Sequence, residues 1–130
     1  MSEVQMSLLS PKEQKLLKPN PEAIAAEVLN KDMQKDVANL CDCIRANNLR
    51  IKWVGKNGWE VATNKTQVLR RIRINPADKY WYMTKTFNMF GRMCENQCCN
   101  SQIKIMNPTG KALEHTKTLI LTARDIANAT

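Results

Sequence analysis

This chain has a single histidine, His115, and only two acidic residues, Glu60 and Asp78, between positions 45 and 92. Two carboxylates are too few for a two-metal nuclease cluster in that region. His115, between Glu114 and Thr116, reads as a solvated residue or one at the edge of the C-terminal helix's apolar face, and not as a catalytic base. No nucleophile elbow, phosphate loop, dinucleotide fingerprint or HExxH helix occurs. The expectation is a non-enzyme without a cofactor. No run approaches the roughly 18 apolar residues of a membrane span. The opening MSEVQMSLLSPKEQKLLKPN is polar and acidic early, with no apolar segment of signal-peptide character. An odd number of cysteines, five, cannot all pair within one chain, which argues against a secreted disulfide framework. A reducing intracellular compartment is the expected setting.

The cysteines also raise the question of zinc, which takes four tetrahedral ligands, commonly from C-x2–4-C pairs. Cys94 and Cys98 have C-x3-C spacing, and Cys99 or Cys41 would complete a set. Cys41 falls on an apolar helical stripe, where a thiol behaves as a small hydrophobe. Cys43 lies about 200° around that helix from it. Cys94, Cys98 and Cys99 are therefore weak metal candidates, and no metal is expected.

What the chain does have is an ordinary globular composition, 43% hydrophobic and 25% charged, over a length suited to one domain. Its net charge of +8 is unevenly placed. Residues 45–92 hold 11 Lys and Arg against 2 Asp and Glu, while residues 1–44 are slightly acidic. Segregated positive charge is what an anionic partner requires.

Residues 1–20 read as a loose lead-in with a short helix started by Ser10, Pro11 and Glu13, and residues 21–130 as a single α+β domain. From Pro21 to about Ala46, Ile24, Val28, Leu29, Met33, Val37, Leu40, Cys41 and Ile44 recur at helical spacing, with Asn20 as the cap. This predicts one long N-terminal helix. Strands follow at 49–54 and 58–63, around a GKNG turn. QVLRRIRI at 67–74 is open between strand and helix, its β-branched residues favouring a strand. KYWYMTKTF at 79–87 and QIKIM at 102–106 read as strands. A long C-terminal helix takes up KALEHTKTLILTARDIANAT. The expected architecture is an antiparallel sheet of about four strands flanked by the two long helices.

Strand alternation then sorts the side chains. A two-residue turn puts Leu49, Ile51, Trp53 and Ala62 on one face of the hairpin. Arg50, Lys52, Val54, Trp59 and Val61 fall on the other. On the next strand Val68, Ile72 and Ile74 face the core, with Leu69, Arg71 and Arg73 opposite. On the fourth strand either Tyr80 and Tyr82 or Trp81 and Lys85 face outward, and parity leaves the choice open. Buried unpaired charge costs several kcal/mol, so the basic face belongs in solvent.

Cations draw phosphates, and rings stack on unpaired bases for about 1–3 kcal/mol each. The expected function is therefore single-stranded DNA or RNA binding, with Arg50, Lys52, Trp59, Arg71, Arg73, Trp81 and Lys85 as the contact residues. The alternative is a protein-interaction module docking an acidic partner surface, with the tryptophans as anchors.

Overall fold

The structure, a computed structural model of the chain, describes residues 5–65, 67–85 and 104–129, the side chains of Lys85 and Lys104 excepted. Its elements are a 3-10 turn at Met6–Leu8, α1 (Pro11–Leu17), α2 (Pro21–Val28), α3 (Lys31–Ala46), β1 (Arg50–Gly55), β2 (Gly58–Ala62), β3 (Val68–Asn75), β4 (Tyr80–Lys85), β5 (Lys104–Met106) and α4 (Gly110–Ala129). The five strands form one antiparallel sheet in chain order, with helices at both ends of the chain packed against it. This is the expected α+β architecture. No described helix is long and apolar enough to cross a membrane.

Capping determines where the helices start. Ser10 and Glu13 form a reciprocal capping box ahead of Pro11. Asn20 caps α2 by accepting from the Ala23 amide. The single helix expected over 21–46 is two helices. Asn30 caps α3 by accepting from the Met33 amide, and Leu29 before it is extended at φ −100°, ψ 156°. A second asparagine cap inside a continuous apolar stripe breaks the helix without breaking the stripe. Ile24, Leu29, Val37, Leu40 and Ile44 still enter one core.

One face of the sheet closes that core. Trp59, Val61, Ile72, Ile74, Trp81 and Met83 pack with residues of α2 and α3, and with Leu113, Ile120 and Ala123 of α4. Fully burying each large apolar side chain contributes roughly 1.5–3 kcal/mol, so this layer is the main source of stability.

The N-terminal segment is tied down, contrary to the loose lead-in expected. Glu27 accepts from the Met6 and Ser7 amides at 3.0 and 2.9 Å. Gln14, fully buried, donates to the Met6 carbonyl and to Asn57 Oδ1, and accepts from the Asn57 amide and Trp53 Nε1. A buried glutamine with its polar atoms satisfied in this way specifies one arrangement of the segment over the hairpin.

Candidate nucleic-acid interface

The hairpin explains where the aromatics point. Trp53 pairs with Trp59 and Gly55 with Gly58, which leaves Val54 as an extra residue on β1. A bulge of one residue reverses the parity of everything before it relative to everything after. Trp53 and Trp59 therefore share a face, and Ile51 shares it with Val61. The expectation that Trp59 and Val61 turn outward is corrected by this bulge. Trp59 is 1% exposed, and its indole donates to the Pro19 carbonyl at 2.7 Å. Val54, released from pairing, is 45% exposed.

The same register resolves the fourth strand. Ile72 opposes Met83 and Ile74 opposes Trp81, so Trp81 joins the core, fully buried. Its assignment as a contact residue is corrected accordingly. Tyr82 opposes Arg73 on the other face. Lys85 opposes Arg70 in the backbone register, and its side chain lies outside the described residues.

Arg50, Lys52, Arg71 and Arg73 remain on the outer face, and all four are exposed. Lys52 opposes Glu60, which opposes Arg71 on the next strand. Glu60 meets Arg71 at 3.3 Å and is the one carboxylate of this face among the described residues. The Arg73 side chain lies across Gly58, where a Cβ would sit 3.5 Å from its guanidinium carbon. Tyr80 and Tyr82 alternate onto this face, with ring centroids 5.9 Å apart and planes 29° from parallel. The outer face thus keeps its basic and aromatic character, with tyrosines in place of the expected tryptophans.

Arg70 was absent from the candidate residues, although its even position beside Ile72 and Ile74 marks it for the covered face. It is 3% exposed and donates to the Leu69 and Leu119 carbonyls. Burial pushes its pKa below the usual guanidinium value.

The metal candidates Cys94, Cys98 and Cys99 lie outside the described residues. Cys41 is buried, and burial pushes its thiol well up, with the nearby Glu22 carboxylate adding to the effect. A thiol held protonated is a poor nucleophile and a poor ligand. Among the described residues no three His, Cys, Asp or Glu side chains gather where they could hold a metal. His115 is exposed on α4.

Compared with known proteins, the chain matches no family model, no curated protein and no solved structure.

Proposed function

We propose that this is a non-catalytic binding protein for single-stranded nucleic acid, DNA or RNA, with the outer sheet face as its contact surface. The observation that carries the reading is one of register: alternation sets Arg50, Lys52, Arg71 and Arg73 on the same face as the stacked pair Tyr80 and Tyr82. Cations along the strands follow a phosphate backbone, and exposed ring faces accept unstacked bases of any identity. An open sheet offers bases that access only when they are unpaired, which favours single strands over duplex. The free thiols Cys41 and Cys43 suit a reducing intracellular setting.

The test is the anisotropy of a labelled oligothymidylate across a salt series. Four phosphate contacts on a single strand predict a log–log slope of about −2.8, at about −0.7 per contact. Replacing Arg71 and Arg73 with serine reduces its magnitude by about 1.4. Replacing Tyr80 and Tyr82 with alanine leaves the slope in place and costs about 1–3 kcal/mol per base stacked. A wild-type protein that fails to bind at low ionic strength would discard this reading. It would favour docking to an acidic protein surface, for which the exposed leucines Leu8, Leu16 and Leu17 supply apolar contact.

A further inference from the structure

At the end of the sheet where the β1–β2 and β3–β4 turns lie side by side, the surface folds into a groove of about 600 Å³. That falls within the roughly 300–1,000 Å³ of small-molecule sites. Lys56 and Arg73 bring positive charge to its lining, Tyr82, Pro76 and Leu8 bring apolar surface, and Ser7 lines it as well. Arg73 and Tyr82 also belong to the outer face, so groove and face are continuous.

Charge and chemistry narrow the occupant. No carboxylate lines the groove, while two cations do. The nearby Asp78 accepts from Asn75 Nδ2 at 3.5 Å. Ser7 is fully buried, and its hydroxyl has no hydrogen-bond partner among the described residues. A buried polar group left unpaired in this way costs free energy. The wall is also rigid. Asn57, in the left-handed region at φ 55°, donates from Nδ2 to the Ser7 carbonyl and accepts from the Ile74 amide at its own carbonyl. An apolar groove with two cations in its lining matches a flat ring carrying one anion.

We infer that this groove seats a nucleoside monophosphate unit, as the phosphorylated end of the strand lying on the outer face. The phosphate meets Lys56 and Arg73, and the base lies against Tyr82 and Pro76. The inference rests on the strand-binding reading and adds an end preference to it.

Three oligothymidylates test it, one with a 5′-phosphate, one with a 3′-phosphate and one with hydroxyls at both ends. They are titrated against wild type, Lys56→Ser and Ala77→Trp, and free thymidine monophosphate is titrated separately. Ala77 is exposed in the β3–β4 turn, so a tryptophan there fills the groove without entering the core. The expected result is that one phosphorylated strand binds wild type about five-fold or more tightly than the hydroxyl strand. Both variants lose that preference and keep their affinity for the hydroxyl strand. Equal affinity for all three strands overturns the inference and leaves strand binding standing. If no strand binds but thymidine monophosphate saturates wild type and not Ala77→Trp, the groove is upheld as a nucleotide site and the strand reading falls. If neither ligand binds, both fall.

Discussion

Gln14 is the residue through which the N-terminal segment is coupled to the hairpin, and its replacement by alanine has a calculable consequence. Its amide donates at 2.8 Å to the Met6 carbonyl and at 3.0 Å to Asn57 Oδ1. Its carbonyl accepts at 2.7 Å from the Asn57 amide and at 2.8 Å from Trp53 Nε1. Asn57 is 4% exposed, so truncation leaves two of its polar groups without these partners and largely out of reach of water. At about 1–3 kcal/mol for each such group, the loss is about 2–6 kcal/mol, and water entering the space left behind moves it toward the lower end. We expect about 3 kcal/mol in urea unfolding, as a shift of midpoint at unchanged slope. Asn57→Gly keeps the left-handed backbone and the amide bonded to Gln14 Oε1, and removes the bond between Gln14 Nε2 and Asn57 Oδ1 from the other side. The double variant should therefore cost clearly less than the sum of the single ones. A loss below about 0.5 kcal/mol for Gln14→Ala, or strict additivity in the cycle, would show that the segment is a loose lead-in after all.

Two further outcomes follow from burial and charge. Trp59→Ala should cost about 3–5 kcal/mol through its cavity, and Trp59→Phe should fold and bind single strands within about two-fold of wild type. Selective loss of binding by a well-folded Trp59→Phe would place that residue on the contact surface and refute the register argument. On the acid side, burial pushes the Glu22 carboxyl up, but the Arg45 guanidinium, bonded to both its oxygens, outweighs this and holds it below the ordinary 4.5. A depressed carboxyl contributes stability above 4.5 and loses it as pH falls through the lowered value. Both side chains are partly exposed, so the contribution is at most about 1 kcal/mol. Thermal melts of Glu22→Gln should converge with wild type below that range and fall short of it at neutral pH. Parallel pH profiles would remove the pair from the account.

Much of the architecture can be read locally because its causes are local. Ser10, Pro11 and Glu13 start α1 with atoms only three residues apart. The spacing of Ile24 to Ile44 places a helical face in the core, and β-branched alternation around Ile72 makes β3 a strand. The exposure of Arg50, Lys52, Arg71 and Arg73 follows from the cost of burying charge, which each residue carries wherever it stands. The Asn30 break was legible in the same way, since asparagine is a strong cap, but the unbroken apolar stripe masked it.

What depended on tertiary structure was the side to which each aromatic turned. Parity along a strand is relative, and one unpaired residue reverses it, so Trp59 could be placed only once Trp53 was seen to pair with it across the bulge at Val54. The choice between Tyr80 with Tyr82 and Trp81 with Lys85 needed the β3–β4 register for the same reason. Gln14 and Asn57 are 43 residues apart, and nothing local marks a glutamine as a buried connector. Composition determined that a basic, ring-bearing surface exists. Long-range pairing determined that its rings are tyrosines and that the tryptophans hold the fold together.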